Sequence, residues 1–287
     1  MKIAVSGQTL SEKYSLKETL EIIGGYGVKF IEIWPGNLPA LSENVSKDSY
    51  VDRDVKEAKK LLEEYKIAVS AVSFSGAFAD DLASDSSAYE KELCRAVEIA
   101  EELGAKLVNH YCYYLSLEQM DFAKLDACMG PALSLAKEKG IVLALENEAH
   151  DMTQTAKGML EIVEHFADDH FKTTFDATNY YQAGEEGFPE CYELLKEHIA
   201  YIHVKNGCVF DKDRGHIERF RGQKMTGTLE GKEIYYTPTT QGAVNMDGVI
   251  RRAKADGYDG FYNVEPHCPV DDVEMFLKQD LEYLLSM

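Results

Sequence analysis

Short apolar runs that end in a polar or charged side chain alternate along this chain with longer segments whose apolar positions recur every three or four residues. The first kind reads as strands buried on both faces, the second as helices with one apolar stripe. In chain order the pattern predicts a strand at Lys2–Ser6 and a helix at Ser15–Tyr26, opened by a Ser15/Glu18 capping box and stopped at Gly24, Gly25 and Gly27. It continues with a strand at Lys29–Trp34, a helix at Val51–Tyr65, a strand at Ile67–Phe74, a helix at Ser86–Leu103 and a strand at Lys106–Tyr111. A helix from about Leu117 to Lys139, with Gly130-Pro131 as a kink point, leads to a strand at Ile141–Asn147 and a helix at Thr153–Phe166. A strand at Lys172–Asp176 is followed by a turn and a helix at Pro189–His198. The last predicted units are a strand at Ala200–Asn206, a helix at Met246–Ala255, a strand at Gly260–Glu265 and a closing helix at Val270–Leu285.

Strict alternation of short apolar strands with helices implies parallel pairing through right-handed crossovers. Eight such units over 287 residues point to an α/β fold in one domain spanning 1–287, a closed (β/α)8 barrel. The runner-up is an open doubly wound sheet, which would carry a Gly-x-Gly-x-x-Gly turn after the first strand. Ser6-Gly7-Gln8-Thr9 lacks the other glycines, and no Walker loop occurs. One connection is long, residues 207–245. Loops of that length are usually lids or interaction surfaces, and Leu229–Tyr236 inside it reads as a hairpin.

Composition narrows the partners more than the fold. Thirty basic against fifty acidic residues give a formal charge of −20, which repels a phosphate backbone and argues against nucleic acid. No apolar run approaches the roughly 18 residues of a membrane span. The chain opens directly on a strand, so the expectation is a cytoplasmic protein with no leader and no membrane partner. Six scattered cysteines without a Cys-x-x-Cys pair read as reduced thiols rather than a disulfide framework or a zinc knot.

In a (β/α)8 barrel the C-terminal ends of the strands converge on one mouth. Glu146, Asp176, His203 and Glu265 end, or nearly end, four consecutive predicted strands. Three carboxylates and one imidazole form a mainly oxygen-donor set suited to Mn²⁺, with Mg²⁺, Co²⁺ or Zn²⁺ as alternatives, and their mutual repulsion calls for a cation. Each residue alone has a plainer reading. Asp176 caps the following turn, Glu265 pairs with Arg251 or Arg252, and His203 is a core histidine. Four in phase favour the metal.

Glu146-Asn-Glu, Phe175-Asp-Ala-Thr-Asn-Tyr-Tyr-Gln-Ala-Gly184, Tyr201-Ile-His-Val-Lys205 and Gly257-Tyr-Asp-Gly-Phe-Tyr-Asn-Val-Glu-Pro-His267 resemble the sugar phosphate isomerase/epimerase family of xylose isomerase-like TIM barrels. The resemblance spans the chain and implies a divalent metal on the same four residues. It further implies that Glu146 and Glu265 flank the substrate. One removes a proton from a carbon next to a carbonyl, the other returns it, and the metal stabilises the enediolate. Asn179 stands where some ketose epimerases of the family place a histidine. Gln241 replaces an acidic residue of the family's Gly-Glu-Gly segment.

Further residues expected to bind substrate are Lys205, His110, His150, Asn179, Trp34 and His267. Lys205 would hold an oxyanion or hydroxyl, or form a salt bridge to Glu148 or Asp176. His110 and His150 would bond sugar hydroxyls, Trp34 would wall a sugar ring, and His267 would support Glu265. Tyr111, Tyr113, Tyr114, Tyr180 and Tyr181 would make the mouth rich in phenols. The expected activity is metal-dependent isomerisation or epimerisation of a small carbohydrate. The alternative on the same site is a lyase, either inosose dehydratase-like or cleaving 3-keto C-glycosides. A non-catalytic binding subunit is a third reading, with a homo-oligomer or partner subunit as the assembly. An abasic-site endonuclease would need more ligands and a basic face, which the charge denies.

Overall fold

The computed structural model describes residues 1–43, 45–74, 87–112 and 120–287. Eight parallel strands close a barrel: β1 (Lys2–Ser6), β2 (Phe30–Ile33), β3 (Ala68–Ser73), β4 (Leu107–His110), β5 (Val142–Glu146), β6 (Phe171–Asp176), β7 (Ile199–Val204) and, as the eighth stave, β11 (Phe261–Val264). β11 pairs with both β7 and β1, with Asn263 opposite His203 and Val264 opposite Val5. The helices run from α1 (Leu16–Gly25), α2 (Val55–Tyr65) and α3 (Ser87–Leu103) through α4 (Phe122–Lys139) and α5 (Ala156–Phe166). They continue with α6 (Ala177–Ala183), α7 (Tyr192–Leu195), α8 (Met246–Ala255) and α9 (Val273–Ser286).

The predicted boundaries hold to within a few residues, and the exceptions have local causes. Ser15 caps α1 through the expected box, its hydroxyl accepting from Glu18 N–H while the Glu18 carboxylate accepts from Ser15 N–H. Asp54 and Thr155 cap α2 and α5, which therefore start later than the apolar pattern alone suggested. α4 begins after its cap Asp121 and runs unbroken through Pro131; the expected start at Leu117 lies outside the described residues. The turn expected after Asp176 is instead the short helix α6.

Strand alternation sorts the side chains into two layers. Outward residues such as Ile31, Val108, Leu143, Phe175 and Ile202 join the helices in one continuous apolar core. Inward at the N-terminal end, Ala71, Leu107, Ala144 and Tyr201 plug the barrel, with Phe261 packed against them. The plug is apolar, so the polar inward residues sit above it towards the strands' C-terminal ends. No described helix is long and apolar enough to cross a membrane, and the six cysteines stay as thiols.

The long connection after β7 forms a three-stranded antiparallel sheet in the order β8 (Asn206–Val209), β10 (Glu233–Thr237), β9 (Arg221–Lys224). The hairpin expected within Leu229–Tyr236 is not there: only β10 falls in that stretch, and it pairs with β9 upstream and with β8, which continues directly from the barrel strand. Met225, Ile234 and Tyr236 give this sheet its own small core. Its base is tied by Asn206, whose amide donates to Thr239 O and Val244 O at 2.7 and 2.9 Å. Gly242 is required there, since a Cβ would lie 2.0 Å from Asn206 Oδ1. The sheet leans on the barrel mouth through Thr226, which donates to Ala149 O at 2.7 Å and through its N–H to Gln182 O at 3.0 Å.

Asp280 on α9 accepts the Thr239 N–H at 2.6 Å and so fixes the return from the sheet to the barrel. Burial pushes its carboxyl up to about 6. A raised carboxyl favours folding while it is protonated in the folded state, and that advantage disappears as pH rises from the unfolded value through about 6. Asp280→Asn keeps an acceptor oxygen without the charge. The variant should melt close to the parent below pH 4 and become the more stable of the two above pH 6, by on the order of 2–3 kcal/mol. Paired denaturation curves across that range check this, and a pH-independent difference would contradict it.

Candidate active site

Four strands deliver the four expected residues to one point. Glu146 ends β5, Asp176 ends β6, His203 lies within β7 and Glu265 follows β11. Each offers one ligand atom, and the four atoms lie within 4.8 Å of one another. Glu146, Asp176 and His203 are wholly buried and Glu265 nearly so.

The sequence holds each one locally. Asp176 divides its carboxylate. Oδ1 accepts from Thr178 N–H and Asn179 N–H at 2.8 Å, capping α6, so the plain reading of this residue is correct for one oxygen. Oδ2 remains for the site, with the Lys205 ammonium at 2.9 Å. Asn147 clamps β5 to β6 in both directions, its amide oxygen accepting from Asp176 N–H and its amide nitrogen donating to Asp176 O, each at 2.9 Å. Asn109 on β4 donates to Glu146 Oε2 at 2.8 Å. His203 directs Nδ1 towards Glu146 Oε1 at 3.1 Å and Glu265 Oε2 at 3.4 Å. Lys205 bridges Asp176 and Glu265, at 2.8 Å from Glu265 Oε2. Arg251 and Arg252 do not reach Glu265 and pair instead with Asp247, Glu193 and Asp256.

The field is strongly negative. Burial alone would drive protons off His203 and Lys205, yet both are held well above their usual values, His203 by Glu146, Glu265 and Glu32, and Lys205 chiefly by Asp176 and Glu265. Burial lifts Glu146, and Glu265 adds to this against the opposing pull of His203. Glu265 goes the other way: burial would lift it, but Lys205, His203 and His267 hold it well below the carboxylate range. Glu148, two residues beyond Glu146, is raised well above that range by burial and by Glu146. A field that favours a proton on the imidazole favours a divalent cation in its place. Three carboxylates and an imidazole within reach of one point, with Asp176 Oδ2 kept out of the helix cap, fit such an ion in number and chemistry.

A cleft of about 550 Å³ adjoins this cluster, lined among others by Gln8, Trp34, Arg219, Phe220, Tyr236 and His267. His267 is the link, with Nε2 3.6 Å from Glu265 Oε2 and its ring 4.9 Å from that of Tyr236. Trp34 and His267 thus line the cleft, and Lys205 is in the cluster itself. His110 is not. Neighbours along a strand point to opposite faces, so Asn109 faces the barrel interior while His110 faces the helices, bonded to Tyr89 Oη at 2.8 Å and near Phe171. His150 serves the small sheet, 3.0 Å from Gln223 Oε1. Asn179 spends its amide on Asn147 O at 2.8 Å, with Glu146 Oε1 and Glu148 Oε1 at 3.4 and 3.5 Å. Gln241 is exposed and bonds Gln279. Of the tyrosines, Tyr111 neighbours Trp34, Tyr180 is buried against Phe175, and Tyr181 packs on the small sheet's core; Tyr113 and Tyr114 lie outside the described residues.

Sequence reasoning missed Glu32. It occupies the inward position of β2, fully buried, with Oε1 3.2 Å from His203 Nε2. Its signal was a single carboxylate between Ile31 and Ile33 in an otherwise apolar strand. Asn109 and Asn263, amides inside apolar runs, carried the same signal and were missed with it.

A sequence profile described as xylose isomerase-like TIM barrel matches residues 20–287. No curated protein sequence matches the chain. Among solved structures, D-allulose 3-epimerase from Methylomonas sp. in complex with D-allulose superposes with a TM-score of 0.73 at 16% identity, over 100% of this chain and 96% of that one. The probable 3-DHS dehydratase AsbF from Bacillus anthracis gives 0.72 at 14% identity, over 99% of both chains. A xylose isomerase-like TIM barrel protein from Mycobacterium smegmatis, in complex with magnesium, gives 0.69 at 18%, over 99% and 95%. At these identities the likeness carries the fold.

Proposed function

We propose that this chain, which belongs to the xylose isomerase-like TIM barrel family, is a divalent-metal-dependent isomerase or epimerase of a sugar or sugar derivative. The observation that carries the reading is the convergence of Glu146, Asp176, His203 and Glu265 within 4.8 Å, beside a cleft of substrate size. These four residues would hold the ion, Mn²⁺ by preference for the oxygen-rich donor set, with Mg²⁺, Co²⁺ and Zn²⁺ as alternatives. When bound, such an ion supplies Lewis-acid stabilisation of the negative charge that develops when a proton leaves a carbon next to a carbonyl.

The remaining chemistry belongs to the side chains. Glu146 and Glu265 come from different strands and would act as the acid–base pair, one taking the proton and the other returning it. Asn109 limits the rotation of the Glu146 carboxylate by donating to Oε2, while Oε1 faces His203. Lys205 sits between Asp176 and Glu265 and would donate to a substrate oxygen near them. Trp34 would wall the sugar, and His267 would steady Glu265. Asp176 and His203 would act as ligands only.

The same first step serves a second reading, a dehydratase or a carbon–glycoside-cleaving lyase. The solved probable 3-DHS dehydratase with this fold supports keeping it. Products separate the two, since an isomer has the substrate's mass and a dehydrated product is one water lighter. Incubation with ketoses, inososes and 3-keto glycosides should give turnover with Mn²⁺ that a chelator abolishes and added metal restores. Turnover indifferent to chelation would contradict the metal reading.

A further inference from the structure

We infer that Glu32 is a positioning residue for His203: its carboxylate fixes which imidazole nitrogen carries the proton and so leaves Nδ1 as the ligand atom. The inference rests on the metal reading above and concerns a residue outside the quartet.

Glu32 stands alone as an inward carboxylate on β2, opposite β3 and across the barrel from His203, with no lysine or arginine bonded to it among the described residues. A buried carboxylate without a cation is retained only where donors satisfy it. Here all its acceptor positions are taken. Oε1 receives Ser73 Oγ at 2.7 Å and His203 Nε2 at 3.2 Å; Oε2 receives Trp34 Nε1 and Asn263 Nδ2, each at 3.0 Å. A carboxylate has about four such positions, and the indole N–H can only donate. With its other lone pairs engaged by donors, Glu32 has nothing to offer His203 except an acceptor. Nε2 therefore carries a proton, and the Nδ1 lone pair is the one presented to Glu146 and Glu265. The Tyr201 ring, 5.4 Å from the imidazole at 69°, limits its rotation from below.

The arrangement also ties the ligand to the substrate wall. Trp34 Nε1 bonds Ser6 Oγ as well as Glu32 Oε2, both at 3.0 Å, while the same residue lines the cleft. One carboxylate thereby holds the position of the metal-binding imidazole and of the aromatic surface facing substrate.

Glu32→Gln discriminates this from simple filling of space, because the amide is nearly isosteric but has one acceptor oxygen for four donors. If its oxygen faces His203, its NH2 opposes the indole N–H, which cannot turn into an acceptor. If its NH2 faces His203, Nε2 must accept, and the proton moves to Nδ1 and blocks the ligand atom. The first leaves His203 a neutral, weaker acceptor on a side chain pushed away by the indole, and the second blocks Nδ1, so metal affinity falls in both. Loss of such a partner typically costs 10–100-fold in metal affinity.

The test uses the full chain and Zn²⁺ alone, a diamagnetic probe that needs no substrate. Competition with a chromophoric chelator gives the affinity of the parent and of Glu32→Gln. Long-range ¹H–¹⁵N spectra of the zinc-loaded parent show directly which nitrogen of His203 is metal-bound. The expected result is an Nδ1-bound, Nε2-protonated ring and at least a ten-fold weaker Zn²⁺ affinity in the variant. Metal on Nε2, or equal affinity in a folded Glu32→Gln protein, overturns the inference and leaves the metal site standing. A parent that binds no Zn²⁺ at all overturns the metal reading and this inference with it. Should Glu32→Gln fail to fold, the spectrum of the parent decides alone.

Discussion

Replacing Glu146 with glutamine is expected to lower turnover by roughly 10²–10⁴-fold, the usual worth of a positioned acid–base group, while leaving the barrel folded. The side chain is wholly buried at the end of β5, and glutamine has almost the same volume, so no cavity opens. What changes is chemistry. The amide cannot take up a proton from carbon, and one of the charges attracting a cation is lost. It must also reconcile its NH2 with Asn109 Nδ2, which donates to Glu146 Oε2 at 2.8 Å. Turnover should therefore be measured at saturating metal, with bound metal quantified, to separate lost proton transfer from lost binding. A metal-loaded Glu146→Gln protein that turns over like the parent would remove Glu146 from the reaction.

The second large effect is expected from the small sheet over the mouth. β8 and β10 already pair directly, and Phe210 N–H donates to Glu233 O at 2.8 Å, so residues 213–231 can be replaced by a tight turn without stretching the chain. That deletion removes β9, and with it Arg219, Arg221 and Gly222 from the cleft wall and Gln223 and Thr226 from the contact with the β5 and β6 ends. No residue of the barrel strands or their helices is removed, although α9 loses the contact between Phe276 and Phe220. Walls that exclude water and hold a substrate in register are worth roughly 10²-fold when misplaced. The shortened protein should keep a cooperative unfolding transition and its metal affinity while losing activity on that scale. Unchanged turnover would show that the sheet has another purpose.

How far the sequence carried this account depended on whether a residue's role could be read from its own strand. The barrel, the caps at Ser15 and Asp176 and the quartet followed from short apolar runs ending in ligands, because a parallel barrel brings strand ends together whatever the connections do. The phase of a strand near its end was harder. His110 was expected at the mouth, yet it and its neighbour Asn109 must face opposite ways, and only pairing with β3 and β5 decides which faces in. His150 and Asn179 lie at the right height but are spent on Gln223 and Asn147, contacts that depend on how the long connection folds. That connection was illegible in detail because β8 follows the barrel strand after a single residue, Lys205, so two strands read as one. Glu32 was missed for the opposite reason: its partners Ser73, His203 and Asn263 come from three other strands, and no local spacing announces them.

Proton abstraction at a carbon next to a carbonyl by residues of the metal quartet opens that position to exchange with solvent. NMR of candidate sugars in D2O reads that exchange, covering ketoses with and without a terminal phosphate, inososes and 3-keto glycosides, with Mn²⁺-loaded and with chelated protein. Deuterium should enter at a single carbon of one substrate class, only with metal and not with Glu146→Gln. Conversion of one of these substrates without solvent deuterium entering the product or the recovered substrate, or exchange that persists in chelator, would contradict it.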